Sequence, residues 1–209
     1  GFGGEGYKAV YVGMDNQLYQ TDFNPITEKW TSVTKVKDWK TENAVSMSAI
    51  GGNIYLAYQD FDTKEIRMGV KFSHFKDWSI LEAIQGSNTH KTDCGPVISN
   101  LNDNHLLVVW VEQGSAQLKY AVMNMIQKLK LIAANVSDGN SDCLTNLTPA
   151  ILEVSDTQAL LAWKAQTGNT NIYYSFFGFD PKTSTGSWDP QYATEVPAIQ
   201  TNCTPCITI

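Results

Sequence analysis

Apolar positions along the chain come in short runs broken by Gly, Asn, Asp, Ser and Pro, and one arrangement of them returns three times. Residues 45–60 (VSMSAIGGNIYLAYQD), 97–113 (VISNLNDNHLLVVWVEQ) and 150–166 (AILEVSDTQALLAWKAQ) superpose. Each reads as an apolar strand, a polar turn and a second apolar strand ending in an aromatic. The aromatics are Tyr58, Trp110 and Trp163, spaced 52 and 53 residues apart. Third strands open at Ile66, Leu118 and Ile172, in EIRMG, QLKYA and NIYYS. Fourth strands follow as WSILEAI after Trp78, LKLIAA from Leu129 and a stretch around Trp188. MNMIQKLKLIAANV alone has a periodicity that suits a helix as well as strands, and its place in the repeat assigns it to strands three and four.

The first 42 residues fit the same template with one piece missing: KAVYVGM, QLYQTDF and KWTSVTKV read as strands two, three and four. The final segment, CTPCITI, superposes on CGPVIS and LTPAIL, the first strands of later repeats, with Pro205, Pro96 and Pro149 in register. The chain is therefore expected to be all-β. It reads as a β-propeller of four blades, each of four antiparallel strands, with the C-terminal strand closing the first blade. Closure of this kind removes the exposed edges of an open sheet. The blades run over residues 1–42 plus 203–209, 43–92, 93–142 and 143–202 of one domain. A β-sandwich shares the short strands but requires no 52-residue period.

The 209 residues are 43% hydrophobic and 11% aromatic, ample for a buried core. A net charge of −6, from 15 Lys+Arg against 21 Asp+Glu, argues against a nucleic-acid partner. Eighteen consecutive apolar residues occur nowhere, so no membrane span is expected. GFGGEGYKAV has neither the basic nor the apolar part of a secretion signal, which is expected to have been removed or never to have existed. Cys94, Cys143, Cys203 and Cys206 are an even number, compatible with two disulfides of open connectivity or with buried thiols. With sequons at Asn135, Asn146 and Asn202, they point to a secreted protein. Cys203 and Cys206 have a zinc-like spacing, but His74, His90 and His105 fall at unequal places in the repeats, so no metal is expected. No glycine-rich phosphate motif implies a cofactor.

In an antiparallel blade, the end of strand two shares one rim with the loops that join blades. There the repeats agree in chemistry: Tyr58 with Asp60, Trp110 with Glu112 and Gln113, Trp163 with Gln166. An aromatic ring beside carboxylates and amides suits a neutral sugar, whose C–H face stacks while its hydroxyls find acceptors and donors. The competing reading is that the rings only fill the space between blades and the polar side chains are solvated.

The repeat resembles the sialidase-like (BNR-type) propeller repeat, whose blades also build propeller lectins. Fragments of that family's Asp box survive in TSTGSW ending at Trp188, HFKDW at Trp78 and PITEKW at Trp30, whereas Leu129 stands in the third repeat. The resemblance implies a propeller and, in sialidases, three arginines that hold a carboxylate. Arg67 is the only arginine, and lysine does not replace the guanidinium fork, so a sialidase is excluded. The expected function is thus non-catalytic carbohydrate binding: a lectin with repeated sites on one face or between blades, its partners glycans or glycoproteins. The alternatives are a protein-binding scaffold of hemopexin-like type and a glycosidase. Pairing of two copies into one larger ring is a further expectation.

Overall fold

The structure is a computed structural model that describes residues 7–81, 90–126, 129–137, 142–189 and 194–207. Those residues contain no helix; they form four antiparallel sheets in chain order. The first holds β1 (Tyr7–Val12), β2 (Gln17–Asn24), β3 (Lys29–Trp30) and β4 (Thr34–Lys40), and the second β5 (Ser46–Ile50), β6 (Asn53–Gln59), β7 (Ile66–Lys71) and β8 (Ser79–Leu81). The third holds β9 (Val97–Asn102), β10 (His105–Val111), β11 (Leu118–Asn124) and β12 (Leu129–Asn135). The fourth holds β13 (Ala150–Ser155), β14 (Gln158–Lys164), β15 (Asn171–Asp180), β16 (Thr185–Trp188) and β17 (Thr194–Gln200). MNMIQKLKLIAANV does divide between β11 and β12. In the end sheets the outer strand is split, with β3 and β4 both pairing β2, and β16 and β17 both pairing β15.

Three apolar layers join consecutive sheets. Leu18, Val36 and Trp39 meet Leu56, Tyr58 and Trp78 between the first and second. Ile50, Ala57 and Met68 meet Leu106, Val108 and Trp110 between the second and third. Leu107, Val109 and Val111 meet Leu161, Trp163 and Phe177 between the third and fourth. Strand β10 is consequently packed on both faces, which is why HLLVVWV is continuously apolar where a half-exposed strand would alternate. The first sheet is packed on one face only, and Tyr7, Tyr11 and Trp30 on its other face are 71%, 41% and 57% exposed. Trp30, which ends the PITEKW fragment, is thus open to solvent, whereas Trp78 and Trp188 are buried and Trp39 fills the core of the first sheet.

The links between sheets share one hydrogen-bonded device. Thr41, Thr92 and Thr145 are fully buried, and each hydroxyl accepts from the N–H two residues on, at 3.2 Å in all three. Their own N–H groups donate to Asn16, Lys64 and Ala116, in the turn of the preceding sheet, at 2.8–3.0 Å. Thr201 repeats both bonds, donating to Thr170 and accepting from Cys203. The next residue reaches forward to the turn of the following sheet. Glu42 accepts from Lys64, Asp93 accepts from Gln113 and the Gly114 N–H, and the Asn146 amide donates to the Thr167 hydroxyl. Each crossing therefore clasps two sheets at once.

Two expectations need correction. Residues 203–207 form no strand and make no ladder with β1 among the described residues, while 208 and 209 lie outside them, so the terminal strand is not seen to close the first sheet. The Thr201 turn starts a crossing out of the fourth sheet, and among the described residues no apolar cluster joins the fourth sheet to the first, so the terminal segment has no packed edge to extend. The cysteines form no disulfide either. Cys94 and Cys143 are buried thiols and Cys203 and Cys206 exposed ones. Burial, with Asp93 nearby, pushes the Cys94 thiol pKa up, which makes it unreactive. Titration with a thiol-specific disulfide reagent should therefore modify Cys203 and Cys206 rapidly and Cys94 and Cys143 only on unfolding, and reductant should leave the melting temperature unchanged. A fall in melting temperature on reduction would show a bridge.

Candidate functional site

The rim residues lie where the repeats put them, at the ends of β6, β10 and β14, but the rings are closed off. Tyr58, Trp110 and Trp163 are 3%, 0% and 3% exposed. Tyr58 stacks on Trp39 with centroids 5.3 Å apart, and Trp163 on Tyr173 at 6.1 Å. Burial, reinforced by Asp60, drives the Tyr58 phenol pKa well up. The polar side chains are engaged locally. Burial opposes the charge of Asp60, but the Thr63 N–H and hydroxyl, both at 2.9 Å, and nearby Arg67 outweigh it and hold the carboxyl below its ordinary range. Glu112 pairs with Lys119 at 3.1 Å, and Gln113 donates to Asp93 at 3.1 Å. Gln166 is exposed. Parts of two joining loops that the sequence places on this rim, residues 85–89 and 138–141, lie outside the described residues.

At the opposite ends of the strands, a groove of about 620 Å³ opens between the first and second sheets. It is framed by the start of β1, the end of β2, the end of β5 and the end of β7. Tyr7 and Phe23, whose rings lie 6.3 Å apart, line it from the first sheet, and Phe72 and Phe75, 6.0 Å apart, line it from the second. Tyr7 and Phe75 are 71% and 66% exposed, so these rings, unlike those of the other rim, show faces to solvent. Charge enters through Lys8 and Asp22, an ion pair whose lysine is mostly covered, and through Lys71 beside them. Burial, with the Lys8 ammonium alongside, pushes the Lys71 pKa down, against the pull of Asp22 and Asp77. Asn24, Thr31, Ser48 and Ser73 add hydroxyl and amide groups to the wall.

Sequence reasoning missed this groove. Its residues come from two repeats, from strands and from the turns that follow β5 and β7, and no short motif contains them. The signal that was available is Phe72-Ser-His-Phe75 after β7, two aromatics in the turn between β7 and β8. Among the described residues, no cluster of His, Cys, Asp or Glu is arranged to hold a metal.

The fold has relatives among solved structures. The chain superposes on the lectin of Aleuria aurantia in complex with α-methyl-L-fucoside at a TM-score of 0.58 and 14% identity, covering 93% of this chain and 58% of the lectin. NanB with Optactamide matches at a TM-score of 0.58 and 8% identity, over 82% of this chain and 27% of NanB. A thermostable family-43 glycoside hydrolase superposes more loosely, at 0.46 and 12% identity, over 94% and 73% of the two chains. No family model and no curated protein sequence matches. The chain is thus an all-β protein of propeller-like fold, and it spans little more than half of the Aleuria lectin's length and about a quarter of NanB's.

Proposed function

We propose that the protein is a carbohydrate-binding propeller of four blades that holds a sugar in the groove between its first two sheets, without catalysis. The observation that carries this reading is the pairing of open aromatic faces with fixed polar groups in one concavity. Phe75, with Tyr7 lining the first-sheet side, offers an exposed ring to the apolar side of a pyranose, and Asp22, Lys8 and the neighbouring hydroxyls offer acceptors and donors to its hydroxyls. On the other rim the polar groups stand beside rings, Tyr58, Trp110 and Trp163, that are buried. Glycoside hydrolysis of the common kind needs two carboxylates across the scissile bond, and among the described residues Asp22 is the single carboxylate lining the groove, already paired with Lys8. That supports binding over turnover. The lectin likeness, which is one of fold, is compatible with the same reading.

A glycan array followed by calorimetry with the best ligand tests it. Tyr7→Ala and Phe75→Ala remove exposed rings, so folding should be unmoved while affinity falls at least tenfold, the loss of one stacked ring. The set Asp60→Ala, Glu112→Ala and Gln166→Ala should retain binding. Loss of affinity in that set and not in the ring variants would move the site to the other rim. Silence across the array would favour a protein-binding scaffold, for which the open Tyr11 and Trp30 face of the first sheet is the natural surface.

A further inference from the structure

Resting on the groove as a sugar site, we infer that it selects a saccharide carrying a tetrahedral oxyanion ester, a sulfate or a phosphate, with Lys71 as the anion's partner. Two ammonium groups face this one groove, and Asp22 neutralises only Lys8. Among the described residues no carboxylate pairs with Lys71 at ion-pair distance; Asp22 and Asp77 act on it only from further away. A lysine held partly out of water beside a second lysine keeps its charge at a cost, and its lowered pKa is the mark of that cost. A dianion or monoanion placed against both ammonium groups removes the repulsion and supplies the missing counter-charge. The alternative, that Lys71 merely packs its stem on the groove wall with the head in water, does not by itself turn the head toward Lys8.

The kind of anion follows from the donor. An ammonium is a compact point charge with three rotatable donors, which fits the oxygens of a tetrahedral ester from any side. A planar carboxylate is matched by the two parallel N–H groups of a guanidinium, and the only arginine, Arg67, is paired with Glu65 on β7 away from the groove lining. The rings of Tyr7, Phe23, Phe72 and Phe75 would then hold the sugar while Lys71 and Lys8 hold the ester.

The test uses the intact chain and four probes: galactose, galactose 6-sulfate, glucose 6-phosphate and glucuronate, each titrated by calorimetry at low and high salt. One of the two esters should bind at least tenfold tighter than galactose and glucuronate, with the advantage lost at high salt. The better ester identifies the source of the anion. Lys71→Gln should abolish the advantage and Lys71→Arg should keep most of it, with the melting temperature of each confirming folding. Equal affinity for galactose and the esters overturns the inference but leaves the groove a sugar site, as does a preference for glucuronate. An ester preference that survives in Lys71→Gln overturns the assignment to Lys71. If none of the probes binds while an array glycan does, and Tyr7→Ala abolishes that binding, the ester selectivity is wrong and the groove stands. If no glycan binds at all, both fall.

Discussion

Trp110→Ala is expected to destabilise the protein by about 3–5 kcal/mol, enough to unfold a domain of ordinary stability. The indole is fully buried in the layer between the second and third sheets, beside Ile66, Met68 and Leu106. It sits on β10, the strand with both faces packed, so its neighbours are held from behind by the Leu107–Val109–Val111 face and collapse little into the cavity. The expected loss is the transfer free energy of the ring plus the cost of the hole it leaves. The indole nitrogen of Trp110 has no hydrogen-bond partner among the described residues, so Trp110→Phe should recover most of the stability. Trp30→Ala, at a ring 57% exposed, should cost no more than about 0.5 kcal/mol. Urea unfolding followed by circular dichroism orders the three variants, and equal midpoints for Trp110→Ala and Trp30→Ala would show that β10 does not lie between two sheets.

Gly95→Ala should cost about 1–3 kcal/mol or more, by overpacking rather than by a lost contact. Gly95 lies in the crossing from the second to the third sheet, and a methyl group there would press into the carbonyl oxygen of Ala44 in the previous crossing. Its N–H donates to the Thr148 hydroxyl of the next crossing at 3.1 Å. Three successive crossings therefore meet at one glycine, and the obstacle is backbone, which cannot rotate away as a side chain can. Gly114→Ala is the informative comparison. Gly114 has φ of +75° and open space around the position of a Cβ, so alanine there meets only the left-handed backbone penalty of roughly 1–2 kcal/mol. Thermal unfolding of both variants separates the two causes: a Gly95→Ala protein as stable as the wild type would mean that the crossings are further apart than the structure has them.

The rim and the groove were not equally open to sequence reading. Tyr58, Trp110 and Trp163 announce themselves by recurring at one place in each repeat, but recurrence marks a position and not its exposure. The same alternation that puts them at a strand end puts them on faces that a neighbouring sheet covers. The bonds of Asp93 and Asn146 show no local pattern, because their partners, Gln113 with Gly114 and Thr167, lie about twenty residues on, across a sheet boundary. The threonine turn was legible: Thr92-Asp-Cys-Gly-Pro, Thr145-Asn-Leu-Thr-Pro and Thr201-Asn-Cys-Thr-Pro align, and a hydroxyl accepting from an N–H two residues on is a local bond.

The strands, their antiparallel order within each sheet, the repeat length and the absence of an arginine cluster belong to the sequence alone. Side-chain alternation, hairpin turns and composition are local or additive properties, and they survive without knowledge of any partner. Which faces meet, which rings stay dry and where a concavity opens depend on how one sheet docks on the next. Lys8 and Lys71 are 63 residues apart in the chain and come together only because the first sheet docks on the second. The open outer faces of the first and fourth sheets are decided in the same way, since an apolar residue on an amphipathic strand is core or surface according to what packs on it. Period-2 patterning specifies a face; only the packing of sheets decides what covers it.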